Sequence, residues 1–323
     1  MSNEPRVLKI TKSLLMNGSI LTDLPMVTAA TLSTNGVRWQ GNLPTVTWNK
    51  LNTEPTVTSG TPTPFSEQGY MVRNAIDVDH FLVEDRNSIQ DPRGVQIEGF
   101  LAALSYDFND KFINNDHVTG DDDAPVGVRA RLDNPTTYGT LSELKIDAGA
   151  VDMTPGAMTA ATANRFISYL TQMLQFLGRP YGDGVKLYMN DLMIRQFEQA
   201  VRMLGAGAGF MMTKDAFDRP VYNYRGAEIV DIGRKADQTT RIITSTEAST
   251  GLAGSSVHTS IYGVVYGEDR LIGWQFQDMM QAIQDLGRIG NAGTILRTLI
   301  DWFVGLYPQH TRCFARIYGI KVA

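Results

Sequence analysis

The stretch from Val37 to Val83 limits what this chain can fold into more than any other. It opens with the strand-forming trio Val37, Arg38 and Trp39. It closes on a period-two alternation, with Tyr70, Val72, Ile76, Val78 and Leu82 set against Arg73, Asp77 and Asp79. Alternation over such a length predicts a strand with one sheltered face. Between the two ends lies a tract rich in threonine and proline, with Pro44, Pro55, Pro62 and Pro64. Proline brings no N–H to a ladder, so it is confined to edges and unpaired positions. The stretch therefore reads as a long hairpin with a proline-rich tip.

Size sharpens the reading. Strand over residues 37–48 would span about 40 Å, whereas a compact chain of 323 residues has a radius of gyration of about 20 Å. A hairpin of that reach projects from the body and loses its burial there, and a lone two-stranded ribbon is marginal in water. A neighbouring copy of the chain is the simplest cover. The alternative, a hairpin folded back into its own sheet, leaves the proline-rich tip unexplained. The residues expected at an inter-subunit contact are Trp39, Trp48, Lys50 and Glu54, with Arg73 and Asp77 on the returning strand.

The rest of the composition is that of a globular chain: 43% hydrophobic, 20% charged, net charge −5, which excludes a wholly disordered protein. The acidic balance argues against a nucleic-acid binder that works by neutralising phosphates. Residues 1–12 hold no apolar core of a secretory signal, and no apolar run approaches the length of a membrane span. With a single cysteine, Cys313, no intrachain disulfide can form. A soluble protein made inside the cell is expected. The first 35 residues scatter Leu8, Leu14, Leu15, Met16, Ile20 and Leu21 without a helical face, and Arg6, Lys9 and Lys12 outnumber Glu4. They read as an extended, mildly basic arm lying on another surface.

The strongest helix follows the hairpin. Asp91 caps it, Pro92 suits its first turn, and Ile97, Phe100, Leu101, Leu104, Phe108 and Phe112 form one stripe, over about 36 Å if it runs to Asn115. The sequence GVRARL at 127–132 reads as a short strand. A second helix starts at Thr154 or Thr159, carries Phe166, Ile167, Leu170, Met173, Leu174 and Leu177, and stops at Gly178. A strand at 185–189 leads to a third helix, capped by Asn190, carrying Met193, Phe197, Val201 and Leu204 and stopped by Gly205. Strand-like pieces follow at 222–232 and 261–276. Two closing strands, around 296–306 and 314–322, are expected to join as a hairpin through Pro308-Gln309-His310.

Signatures of catalysis fail one by one. His80, His117, His258 and His310 have no second ligand at metal spacing and read as surface or loop groups. Cys313 reads as a small buried apolar group. Asp121, Asp122 and Asp123 lack the spacing of a calcium loop. The Gly205–Gly209 run follows a helix and lacks the register of a phosphate loop. No G-x-S-x-G elbow and no H-E-x-x-H pair occurs. The chain is expected not to be an enzyme, with no catalytic residue, cofactor or metal. The rival is an enzyme with a site on loops 117–125 and 205–215 that uses Asp121 and Asp123.

The order of elements resembles a known family. GVRARL at 127–132, VKLYMNDLMIRQF at 185–197, YNYRGAEIVDIG at 222–233, TSIYGVVYGEDRLIGW at 259–274 and GLYPQHTRCFARIYGIKV at 305–322 follow the arm, hairpin and long helix in the sequence of the tailed-bacteriophage major capsid proteins. Herpesvirus capsids and encapsulins share that shell fold. The resemblance implies an α+β fold with an N-terminal arm (1–35) and an extended hairpin loop (36–84). It implies a peripheral domain on a long spine helix (85–135, completed by 281–323) and an axial domain (136–280). It further implies self-assembly through pentamers and hexamers into an icosahedral shell. That shell encloses double-stranded DNA without sequence-specific contacts and needs neither cofactor nor membrane. The expected location is the virion capsid, assembled in the bacterial host cytoplasm, with scaffold, portal and decoration proteins as further partners. The alternative within the family is an encapsulin-type cargo compartment. The chain departs from some members in lacking a long, charged, helical N-terminal scaffold segment. Lys50 lies near the hairpin tip, but no partner for a covalent crosslink can be picked out.

Overall fold

The computed structural model describes residues 20–29, 31–39, 43–84, 91–205, 210–214, 220–247, 257–276, 283–289 and 294–322. Two sheets organise them. The first runs β1 (Met26–Thr28), β10 (Leu271–Gln275), β12 (Ile295–Pro308), β3 (Thr63–Asp79), β2 (Ser33–Arg38), with β11 (Ile283–Ile289) beside one end of β12. The second runs β4 (Lys145–Asp152), β13 (Phe314–Lys321), β9 (His258–Val265), β5 (Val185–Met189), β8 (Ala227–Asp231), β7 (Pro220–Tyr224), β6 (Phe210–Lys214).

The spine helix, α3 (Pro92–Asn114), joins the two sheets. It follows the turn α1 (Ile20–Asp23) and the short helix α2 (His80–Glu84). Its start is fixed as the sequence predicts: the Asp91 carboxylate accepts the Arg93 N–H at 3.1 Å, with Pro92 in the first turn. The stripe Leu101, Leu104, Phe108 and Phe112 is buried. Phe108 meets Trp302 of β12 and Phe112 meets Phe314 of β13, each pair with ring centroids 6.4 Å apart. One helix face thus packs on both sheets, and each buried ring contributes about 1.5–3 kcal/mol of transfer free energy.

Two more helices cover the second sheet. Of the two candidate starts, Thr159 caps α6 (Ala160–Phe176), in a reciprocal box with Thr162. Gly178, at φ +70°, ends it. Asn190 caps α7 (Asp191–Leu204), accepting the Met193 N–H at 2.8 Å and donating to Ile243 O and Thr259 Oγ1.

Several expectations need correction. GVRARL is not a strand: residues 128–133 form α4 (Val128–Asp133), followed by α5 (Pro135–Tyr138). The Val, Ala and Leu of this six-residue segment alternate, and one and a half turns of helix bury such positions as readily as a strand does. The closing strands are not a hairpin. β12 pairs with β3, β10 and β11, whereas β13 pairs with β9 and, in parallel, with β4. Residues 309–313 carry the chain from one sheet to the other. The expected strand at 37–48 is β2, which ends at Arg38, and Leu82 lies in α2, not in strand. His258 is buried in β9 and is neither a surface nor a loop group.

The arm is built into the body as far as it is described. Ile20 and Leu24 are buried, and the Ile20 N–H donates to Asn109 Oδ1 at 3.0 Å. Asp23 accepts from Lys186 Nζ at 2.8 Å and from Tyr188 OH at 3.1 Å. Residues 20–24 thus pack against the body of their own subunit. Residues 1–19, including Arg6, Lys9 and Lys12, lie outside the described residues, as do residues 206–209 of the glycine run.

Candidate inter-subunit surface

The long strand β3 divides into a held part and a part that leads outward. Residues 69–79 pair with 295–305 of β12, and residues 63–68 pair with 33–38 of β2. The upper part is tied down by side chains. Arg131 of α4 donates to both Glu67 oxygens at 2.6 and 2.8 Å. Arg38 donates to Tyr138 O at 2.7 Å and lies 4.5 Å over the Phe65 ring, which stacks on Tyr307 at 5.3 Å. Burial by itself would lower the pKa of Arg131, but the Glu67 charge and hydrogen bonds outweigh it and raise it. Arg38 is lowered, chiefly by burial. The stack leaves no room at Gly36, where a Cβ would fall 2.2 Å from the Tyr307 hydroxyl.

Beyond Arg38 and Thr63 the chain changes character. The described residues between 43 and 62 form neither helix nor strand. Their own contacts are few: Thr58 Oγ1 donates to Thr45 O at 2.9 Å, and Thr53 N–H to Lys50 O at 3.2 Å. Proline supplies no N–H at three positions here (Pro44, Pro55 and Pro62) and at a fourth, Pro64, at the start of β3, so a ladder would not form readily. The apolar side chains point into solvent: Trp48 is 96% exposed, Leu51 95% and Val57 96%, with Leu43 and Val46 also exposed. Single exposed apolar groups are ordinary, but a run of them on one projecting segment marks an interaction surface.

The six residues expected at a contact fall into two groups. Trp48, Lys50 and Glu54 lie together on the exposed tract, and Trp39 stands half-exposed at its start. Arg73 and Asp77 are not with them. They lie on β3 opposite Asp301 and Arg297 of β12, and pair with those residues at 2.8 Å and 2.6 Å. The Arg297 hydrogen bonds hold the Asp77 carboxyl below the usual range. Sequence reasoning missed Leu43, Val46, Leu51 and Val57, although apolar residues within a proline-rich tract were signal enough. It also missed the anchors Glu67 and Arg131, which sit 64 positions apart with no local signal.

The loop considered as an enzymatic site is otherwise engaged. Asp121 pairs with Lys111 at 3.2 Å and accepts the Asp123 N–H at 3.0 Å. Among the described residues no group of three or more His, Cys, Asp or Glu side chains could hold a metal ion. No helix among them is long and apolar enough to cross a membrane.

A second cluster sets the base of the body. Arg316 of β13 pairs with Glu247 at 2.9 Å and Asp133 at 3.2 Å, and donates to Ser260 Oγ at 3.1 Å. Lys145 of β4 also reaches Asp133, at 2.6 Å. Arg316 and Glu247 are buried, and Asp133, the end of α4, joins Arg316, so the cluster ties α4 to the second sheet through charges that must stay matched.

Comparison with known proteins agrees with this architecture. Residues 2–154 match the family model described as major capsid protein GP7. No curated protein matches the sequence. Among solved structures, the holo-SrpI encapsulin complex of Synechococcus elongatus PCC 7942 superposes with a TM-score of 0.60 at 11% identity, over 94% of this chain and 88% of that one. The capsid of a native GTA particle gives 0.60 at 13% identity, over 94% and 90%. The capsid of Cyanophage P-SCSP1u gives 0.55 at 10% identity, over 94% and 89%. At such identities the superpositions establish the fold, and the family match covers the arm, ribbon and spine helix. The chain therefore has the fold of phage-capsid and encapsulin shell subunits, and its residues 2–154 are similar to the family described as major capsid protein GP7.

Proposed function

We propose that copies of this chain assemble, as pentamers and hexamers, into an icosahedral shell around the double-stranded DNA of a tailed phage. The exposed tract of each copy lies over a neighbour. One observation carries this reading: Trp48, Leu51 and Val57 are almost fully exposed on a segment without ladder partners, at the end of a ribbon that is itself firmly anchored. A tryptophan such as Trp48 is the residue type that most often anchors an interface. The net charge of −5 suits a container whose wall does not adsorb its polyanionic content.

The spine helix with the first sheet would form the peripheral domain, and the second sheet with α6 and α7 the axial domain. On this division β13 belongs with the axial sheet, because its ladder partners are β4 and β9. Scaffold, portal and decoration proteins and assembly in a bacterial cytoplasm belong to the same proposal, as does a purely structural role without catalysis.

Negative-stain microscopy of the expressed protein tests it, with shells, tubes or capsomers expected. Replacing residues 43–61 by a short glycine–serine link should leave a folded subunit that no longer assembles, and unchanged particle yield would remove the tract from the interface. A cargo compartment is the second reading, favoured by the 0.60 superposition on an encapsulin. Particles filled with protein instead of nucleic acid would establish it.

A further inference from the structure

At the end of the first sheet opposite the ribbon tip, the chain forms a short helix that leaves two large apolar side chains in solvent. α2 (HFLVE) follows β3 directly, and none of its five residues is buried. Phe81 is 69% exposed and Leu82 57%. Two ion pairs draw further groups to the same corner. Arg288 of β11 reaches Glu84 at 2.9 Å, and Arg93 of α3 reaches Asp285 of β11 while donating to Thr298 Oγ1 at 2.7 Å. The half-exposed Leu286 lies between those two anchor points on β11, and the exposed Val95 stands two residues beyond Arg93. The corner therefore carries the exposed Phe81 and Leu82 beside the Glu84–Arg288 pair, with Leu286 next along β11.

We propose that this corner is a second contact between copies of the chain, separate from the exposed tract, in which the same patch on two subunits meets face to face. The rim argues for a second copy over a different protein. It offers one acid and one base, Glu84 and Arg288, each more than half exposed. A patch carrying both signs is complementary to itself: related by a two-fold axis, Glu84 of one copy faces Arg288 of the other and the reverse. A partner of single sign would match only half of it. Apolar side chains beside a polar rim are also the anatomy of a protein interface, and Phe81 and Leu82 are exposed on a helix with no buried residue of its own. The contact rests on the shell reading only in that copies must lie side by side, and many weak contacts of this kind give a closed assembly its strength.

The test uses mixed assembly. Glu84→Arg places two bases at the rim and Arg288→Glu two acids, so each variant alone repels its own kind. A one-to-one mixture restores opposite charges only between subunits, never within one. The expected result is that each variant alone lowers particle yield by about tenfold, and that the mixture recovers it. Phe81→Asp, which removes the exposed ring, should lower yield by a similar factor in a subunit whose thermal unfolding is unchanged. A mixture no better than either variant, or Phe81→Asp shells at full yield, overturns the contact while leaving the shell itself standing. Failure of the unmodified chain to form particles under any condition overturns both.

Discussion

Arg131 and Glu67 meet through two parallel hydrogen bonds of 2.6 and 2.8 Å, with the guanidinium only 2% exposed. The pair joins α4 to the ribbon at the level where β2 takes over from β12 as the partner of β3. Removing the acid would leave a buried cation without its counter-charge. Glu67→Ala should cost about 3–5 kcal/mol, the range for breaking a buried pair. Urea unfolding of the unassembled subunit measures it, and a loss below about 1 kcal/mol, as for exposed pairs, would make the contact incidental.

Trp274 lies flat on the first sheet because two strands leave a gap for it. A Cβ at Gly305 would fall 2.4 Å from its indole, and one at Gly69 would fall 2.6 Å from it and 2.2 Å from the Phe303 ring. Gly305→Ala forces the ring to move, at about 1–3 kcal/mol. The expected outcome is a lower denaturation midpoint together with a changed near-ultraviolet circular dichroism spectrum.

Asp191 opens α7 under two arginines. Hydrogen bonds from Arg241, with its charge and that of Arg195, hold the carboxyl down to about 2 from 3.8. A carboxyl depressed in the folded state stabilises above the unfolded value, and that contribution is lost as pH falls from about 4 towards 2. The unfolding midpoint of the unmodified chain should therefore fall more steeply over this window than that of Asp191→Asn. Parallel slopes would show that the interaction carries no linkage.

Cys313, the one cysteine, is 1% exposed, and burial pushes its thiol up to about 12. Only the thiolate reacts readily. The folded subunit should give no reaction with a thiol reagent at pH 8, and one equivalent in guanidinium. Rapid labelling under native conditions would mean that the junction between the two sheets opens.

Trp48 makes no contact that stabilises its own subunit's core, so Trp48→Asp should leave the urea midpoint of the free subunit within about 0.5 kcal/mol, as for surface changes in general. Particle formation should fall sharply. Shells at full yield would show that the tract seats through other residues.

How far these features are legible in the chain depends on the range of the interactions that make them. α3 is fully legible because Asp91, Pro92 and a four-turn stripe are local signals that agree. The exposed tract is legible from its prolines, but its start is not. Val37, Trp39 and the following residues look like strand until Arg38 finds Tyr138, a partner 100 positions away. α4 misleads because six residues are too few to separate a period of 3.6 from a period of two. The closing strands misled for another reason. Each has a strand's composition and the turn between them is a plausible hairpin, yet β12 is claimed by β3 along eleven residues and β13 by β9 and β4. Such choices are made by tertiary packing between segments far apart in the chain, as is the Arg316–Glu247–Asp133 cluster, whose members sit 69 and 183 positions from Arg316.

The sharp boundary at Arg38 and Thr63 has a consequence for the geometry of assembly. Eleven residues of β3 are locked to β12 and six more to β2, so the ribbon root is as rigid as the sheet, while the described residues 43–62 have no ladder. Facets and vertices of a polyhedron ask identical subunits to meet at different dihedral angles. In the proposed shell that adjustment would fall on backbone without a ladder to break, and fivefold and sixfold environments would share one unaltered core.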